Sequence, residues 1–478
     1  MLRKLCGFMA AFAMLPMPFW AQGQSLEETY DLELIEGGTA IADVKAYKDQ
    51  KYNKLFTRTR GWNGGDGVQT IELPNGDVFW TFNDSFYGTV VADRNRTGSN
   101  TFPRNSIMVQ KSHDGVLGEE DSDLVWLADY VNVKDPDNTK YFCARTHLRH
   151  PKASLLPADI RLGQIDQDYF YWAGDMTVQN GKLQVIWNAV DKNMAGCGTA
   201  VATYSLEGTE PSGYYLPDIP DYKPQKGNYL YMEDVQHNLQ TNPMSFGNTL
   251  IEGEDGHIYL YHSVNNYTTV VARTTEMDLK SSLQYYVKTS GNNWEWRDSL
   301  PSMDELKASC IVYGNGNLCN MPWVFKYGDW YYMTAQGPYF AREMYIWRSK
   351  NPYGPFANKK LLFTLPDHID KLGSQQYRWL YMINLHTALS REGELVFTSN
   401  TDAPEFADNF NAPGSADYYR PFFYRVYNWQ ALYGLPTGIG DVKATDPDDD
   451  AYYTLQGVRV MRPSKGVYVH KGKKVVFR

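Results

Sequence analysis

Cysteine is scarce: five in 478 residues, too few for a disulfide scaffold. Cys6 falls in an N-terminal apolar stretch, leaving Cys143, Cys197, Cys310 and Cys319. Four cysteines allow three pairings, and Cys310–Cys319 is expected first because it closes a short loop. Their spacing fits no zinc template, so no metal site is read from them. A basic stripe is also missing. Lys and Arg number 46 against 55 Asp and Glu, for a net charge of −9, which excludes a nucleic-acid partner. An acidic balance bears on solubility and says nothing specific about substrate. Beyond residue 20 no apolar run is long enough to span a bilayer.

What is present begins with a leader. Arg3 and Lys4 precede an apolar run from Leu5 to Trp20 and a small-residue stretch, Ala21-Gln22-Gly23. That order marks residues 1–23 as a secretory signal peptide and the protein as exported, to the periplasm, cell surface or beyond. At the other end, residues 434–450 are a Gly/Pro/Asp linker. Residues 451–478 give three short strands (YYTLQGVRV, GVYVHK, KKVVF), too small a unit to bury a large core.

Between them one pattern recurs five times: a polar residue opens an apolar strand, a Gly-containing turn follows, and an aromatic-rich strand ends on a polar residue. The copies open at Asp66, Asp175, Asn248, Asn320 and His386. They are spaced by roughly 70 residues after a longer first interval, a period that predicts a five-bladed β-propeller over residues 56–433, entered through a segment at 24–55. The excess in the first interval is assigned to an insertion from Asp121 to Asp159 carrying Cys143, His147, Arg149 and His150. The His-x-x-His spacing suits either a metal or a basic loop patch. The fold class is thus all-β, a propeller with a small C-terminal β tail. Its 36 Tyr and 13 Trp suit strands and also suit stacking on sugar rings.

In a propeller the first strand of each blade lines a central channel, so the five opening residues are expected to converge on one axis. Glycoside hydrolysis needs two carboxyl groups around a sugar. Asp66 lies in Trp62-Asn63-Gly64-Gly65-Asp66-Gly67, where glycines let the backbone approach a ligand. It is the expected base or nucleophile, with Trp62 as a stacking platform. Asp84 ends the next antiparallel strand and is expected beside Asp66; Asp175 opens the adjacent blade, either as the acid or as a charge that raises or orients another carboxylate. Each aspartate could instead bond backbone amides, as expected for Asp77 and Asp329 after turn glycines. Asn83, Asn188, Asn248, Asn320, His386 and Arg420 complete the expected substrate contacts, with Arg420 alternatively an ion-pair partner of Asp402, Glu405 and Asp408. Glu233 and Asp234 could swing an acid over the channel mouth or lie in a solvated loop.

The stretch GWNGGDG followed by LPNGDVFWTFNDSFYG resembles the first blade of five-bladed propeller glycoside hydrolases, closest to the endo-D-arabinanase group and its bacterial relatives. GELVFTSNTD with ADYYRPFFYRV is similar to the last blade of that group, and RSKNPYGPF to an outer turn of the broader arabinanase and β-xylosidase propellers. The resemblance implies furanoside hydrolysis of a polysaccharide or oligosaccharide, with Asp66 and Asp84 as catalytic carboxylates and no organic cofactor. It also implies a possible axial calcium near His386. A departure is that those arabinanases carry a glutamate acid in blade three, where Asn248 stands here. The tail resembles C-terminal sorting modules of exported Bacteroidetes proteins. A non-catalytic glycan- or protein-binding propeller at the cell surface is the alternative.

Overall fold

The computed structural model describes residues 30–435, apart from 98–100, 129, 132–142, 154–165, 167, 209–227, 240–244, 265–266, 314–319, 367–370, 373–374, 377–378, 392 and 404. In the tail it describes 452–454, 459–460, 466–470 and 473–477. The expected signal peptide, most of the linker and Cys319 lie outside the described residues.

Five antiparallel sheets form the blades of a β-propeller. Blade one orders its strands Gln69–Glu72, Val78–Phe82, Ser106–Gln110 and Leu124–Leu127 from the inside out. Blades two, three and four repeat that meander from Tyr169–Gln179, Thr249–Glu252 and Asn320–Tyr327. Blade five begins at Trp379–Leu385 and continues through Glu394–Asp402 and Phe422–Tyr427. It is completed by the N-terminal strands Lys45–Asp49 and Leu32–Leu34. Two strands of the segment expected at 24–55 therefore close the ring.

Because each blade is sandwiched between two others, its strands carry apolar residues on both faces. In Val78–Phe82 all five residues are buried. Val78, Trp80 and Phe82 pack toward blade five with Tyr52, Phe56 and Phe423, whereas Phe79 packs toward blade two with Tyr171, Trp187 and Tyr204. Three further clusters fill the remaining seams. Alternating residues thus serve opposite seams, the reason no polar–apolar alternation shows in the sequence.

Ring closure is pinned by ions. Arg425, 1% exposed, bonds Asp49 at the end of the N-terminal strand (Nε–Oδ2 2.6 Å) and Glu394 of blade five. Asp49 also caps the helix Gln50–Leu55 by accepting from the Tyr52 N–H at 3.0 Å.

Several expectations are corrected here. Leu124–Leu127 is the outer strand of blade one, so the insertion starts after it. His147 bonds Tyr204 Oη at 2.9 Å, and His150 is buried between Tyr169 and Tyr171. Burial pushes them down to about 3 and about 4, so both are neutral and form no basic patch. Among the described residues no cluster of three or more His, Cys, Asp or Glu could hold a metal ion. Cys197 and Cys310 carry free thiols; the expected Cys310–Cys319 pairing rests on Cys319, which lies outside the described residues. Glu233 and Asp234 sit on the outermost strand of blade two, paired with Lys182 and Lys280 at 2.8 and 2.7 Å, far from any channel role. Asp77 does hold a turn, accepting from the Ser112 N–H at 2.8 Å and from Lys111 Nζ at 2.9 Å. The tail forms four strands rather than three, in one small sheet.

Candidate active site

Asp66 and Asp84 meet as their antiparallel placement predicts. The Asp66 N–H reaches the Asp84 carbonyl at 3.2 Å, and the Asn83 N–H reaches the Asp66 carbonyl at 2.8 Å. Gly67 makes this approach feasible: it adopts φ +57°, and a Cβ there would lie 1.9 Å from Asn83 Nδ2.

The two carboxylates have unlike surroundings. Asp66 Oδ2 accepts from Tyr381 Oη at 2.6 Å and Tyr419 Oη at 2.9 Å, while its buried Oδ1 has no hydrogen-bond partner. Burial, reinforced by the charge of Asp84, pushes Asp66 up to about 7, although both tyrosines oppose this. The tyrosine hydroxyls are themselves pushed well above their ordinary range by burial and by Asp66, so they remain donors. Asp84 lies 3.2 Å from Arg104 Nε and accepts from Trp172 Nε1 at 3.1 Å. Burial raises it as well, with Arg104 and Trp172 pulling the other way. Arg104 is steadied by the Phe170 ring, 3.7 Å from its guanidinium carbon. Asp402, bonded to Asn409, adds a third negative charge that both aspartates feel.

Arg96 holds the tyrosine-bearing loop in place. Fully buried, it donates to Asn63 Oδ1 and Asn63 O at 2.9 Å each, to Asn409 O and Ser415 O at 2.7 Å, and to Tyr419 O at 3.1 Å. Gly64 passes so close that a Cβ would lie 2.3 Å from Arg96 Nη2 and 2.4 Å from Tyr419 O.

The five opening residues do not lie at one level. A left-handed backbone residue recurs where four inner strands enter the channel: Gly67, Gly247, Met321 and Met382. Asp66, Asn320 and Tyr381 directly precede it, Asn248 follows it, and His386 lies four residues beyond. His386 is wholly buried, its ring nitrogens 3.0 Å from Thr70 Oγ1 and 2.7 Å from Thr398 Oγ1, and burial pushes it down to about 3. Two threonine hydroxyls and the adjacent Trp80 ring do not suit calcium, which takes six to eight oxygen ligands.

Asp175 joins blades two and three. It accepts from the N–H groups of Met176 and Leu250 at 2.9 and 2.8 Å, and from Thr249 Oγ1 at 3.3 Å. It lines a channel cavity of about 540 Å³ with Glu72 and Glu252, and burial raises it to about 7. Among the described residues no hydrogen bond or ion pair links it to Asp66 or Asp84.

Strand-end amides bridge four of the five seams. Asn83 Oδ1 accepts from the Ala173 N–H at 2.7 Å, Asn188 Nδ2 reaches Asn248 Oδ1 at 3.2 Å, Gln336 Nε2 reaches Leu380 O at 2.6 Å, and Asn400 Nδ2 reaches Gly65 O at 2.9 Å. Asn83 and Asn188 are thus inter-blade clamps. Asn320 starts its strand, and its side chain lies outside the described residues. Trp62 is no platform: it has no exposed surface and stacks on Trp126 with centroids 4.8 Å apart. Half-buried aromatics beside the carboxylates are Trp172 and Tyr381. Arg420 lines a different cavity, and none of its ion pairs expected with Asp402, Glu405 or Asp408 forms among the described residues.

Tyr381, Tyr419, Arg104, Trp172 and Asp402 are therefore the site residues that sequence reasoning missed. Tyr381 was recoverable from the apolar strand YMINL ahead of His386, and Tyr419 stood in the quoted YYRP.

Residues 49–429 match the domain of unknown function DUF5005. A crystal structure of a proposed hydrolase from Bacteroides ovatus ATCC 8483 is similar at 48% identity and TM-score 0.77, covering 87% of this chain and 99% of that one. An exo-1,5-alpha-L-arabinanase from a bovine ruminal metagenomic library aligns at 12% identity and TM-score 0.34, over 73% of this chain and 91% of that one. A GH43_1 enzyme from Xanthomonas citri complexed with xylotriose aligns at 14% and 0.34, over 78% and 87%. No curated protein matches the chain. With a match across most of its length and a relative at 48% identity, the chain belongs to the DUF5005 family.

Proposed function

We propose that this protein is an exported glycoside hydrolase acting on furanosidic linkages of an arabinan-like polysaccharide, with Asp66 and Asp84 as its working carboxylates. The observation that carries the reading is the pair itself: two buried aspartates side by side, one beside a guanidinium and the other raised by burial and by its neighbour's charge. Arg104 favours a charge on Asp84, while Asp66 lies under two hydroxyl donors with one oxygen unpartnered. Environments that push two carboxyls apart divide acid from base. Asp66 is then the acid that protonates the departing glycosidic oxygen, and Asp84 the carboxylate that activates water or attacks the anomeric carbon. This reverses the role expected of Asp66 from the sequence. Trp172 offers the ring face for a sugar, and Asp402 helps keep the proton on Asp66.

The description of the 48%-identical relative as a proposed hydrolase supports the reaction class; the first-blade motif supports the furanoside. The leader-like N-terminus supports export, and the tail a sorting role. Among the described residues no helix is long and apolar enough to cross a membrane.

The test is reducing-sugar release by the chain from residue 24 onward on arabinans, xylans and galactans, beside Asp66→Asn and Asp84→Asn. Release by the wild type, reduced at least 10³-fold in both folded variants, is expected. No release from any glycan, with glycan binding that survives both substitutions, would leave a binding propeller instead.

A further inference from the structure

Arg420 points to a second site. It lines a cavity of about 170 Å³ beside blade five, with Lys48, Gln50, Asn53, Phe422 and Tyr424. A wider hollow shares Gln50, Asn53 and Arg420 and adds Lys54 and Thr57. The residue is 8% exposed, yet among the described residues its guanidinium makes one hydrogen bond, to the carbonyl of Pro421 at 3.1 Å, and its buried Nε has no partner.

The other charges nearby are already matched. Lys48 is paired with Glu33 at 2.7 Å, and Gln50 also binds Glu33. Lys54 is paired with Asp31 at 2.6 Å. Asp417, the carboxylate whose charge Arg420 feels most, is held by Arg94 at 2.6 Å. Among the described residues lining the hollow, Arg420 is thus the one cation without a counter-ion. Burial pushes it down only to about 10, so it stays charged at neutral pH.

A buried, unpaired guanidinium is costly unless something completes it. Its planar fork of donors matches a carboxylate, and the Phe422 ring 4.3 Å from its carbon keeps that plane fixed. The amides of Gln50 and Asn53 and the hydroxyl of Thr57 add polar groups suited to hydroxyls.

We propose that this hollow binds a carboxylate-bearing sugar, a uronic acid, with its carboxylate on Arg420 and its hydroxyls facing Gln50, Asn53 and Thr57. The proposal does not depend on the glycosidase reading, since it concerns a different cavity and a binding measurement. The ligand is either a free sugar acid or a uronate within a polysaccharide.

Calorimetric titration of the chain from residue 24 onward with galacturonate, glucuronate, an oligogalacturonide, neutral galactose and inorganic phosphate tests it. Binding of uronates and not of galactose is expected, weakened at least tenfold in Arg420→Gln. Should that variant fail to fold, Gln50→Glu sets a competing carboxylate at the half-exposed margin and is expected to weaken binding equally. A free-acid site takes the monosaccharide as tightly as the oligosaccharide; a polysaccharide subsite takes the oligosaccharide at least tenfold tighter. Absence of uronate binding to the wild type, unchanged affinity in the folded variants, or binding of phosphate alone would each overturn the assignment.

Discussion

Tyr381 of the last blade donates its hydroxyl to Asp66 of the first, across 2.6 Å. Tyr419 donates to the same oxygen, so two groups more than 300 residues away in sequence temper the rise that burial and Asp84 impose on Asp66. The candidate centre belongs to a seam rather than to a blade.

Removing either hydroxyl takes away a bond that favours ionised Asp66, and its pKa must rise from about 7. In Tyr381→Phe and Tyr419→Phe the alkaline limb of the pH–kcat profile is therefore expected to move to higher pH. A charge-assisted hydrogen bond contributes about 1.5–3 kcal/mol, so kcat/KM at neutral pH should fall roughly tenfold or more. An unmoved limb would remove Asp66 from the acid role.

Arg104→Gln deprives Asp84 of the cation 3.2 Å away. Asp84 then takes up a proton more readily, and activity should be lost on the acidic side first, with the acid limb displaced upward. Full pH profiles of variant and wild type would reveal this; a parallel drop at every pH would indicate simple misfolding.

Asp175 supplies a prediction about stability. Its pKa of about 7 in the folded protein exceeds the unfolded value of 3.8. The native state therefore binds the extra proton, and its stabilising contribution is present below pH 3.8 and lost as pH rises through 7. Asp175→Asn cannot ionise and should flatten the decline in unfolding free energy between about pH 4 and 7, by an amount on the order of a few kcal/mol. Denaturant melts at several pH values measure it, and a slope equal to wild type would refute the assignment.

Arg425→Met leaves Asp49 and Glu394 buried without their cation. Losing one partner of a buried ion group costs about 3–5 kcal/mol, so urea unfolding should shift to markedly lower concentration while secondary structure in the native baseline persists.

Gly64→Ala would drive a methyl group into Arg96 and the Tyr419 carbonyl. The loop around Tyr419 should be displaced, lowering kcat more than thermal stability; a variant with unchanged kcat would show that the loop yields without consequence.

The blades were legible because Gly turns punctuate strands that are apolar on both faces, as in Val78–Phe82 and Lys182–Asp191. The proximity of Asp66 and Asp84 was legible because one hairpin joins them. Register failed at the fifth copy. The inner-strand bulge seen in blades two and four recurs between Tyr381 and Asn384, which makes Tyr381 the counterpart of Asn320, whereas His386 lies at the strand's far end before the short helical turn Thr387–Leu389. The clamps at Asn83 and Asn188 looked like ligand contacts because a polar residue ending an apolar strand reads the same whether it faces a sugar or the next blade's backbone. Nothing local distinguishes Trp62, packed in the core, from Trp172 beside the carboxylates. That difference arises from tertiary packing.

Closing blade five with Lys45–Asp49 means the molecule begins and ends its toroid in the same place. Asp66 comes from the start of that circuit, Tyr381 and Tyr419 from its finish. A nascent chain carries the aspartate hairpin before it carries either phenol. Assembly of the last sheet is therefore also the step that brings both phenols onto Asp66.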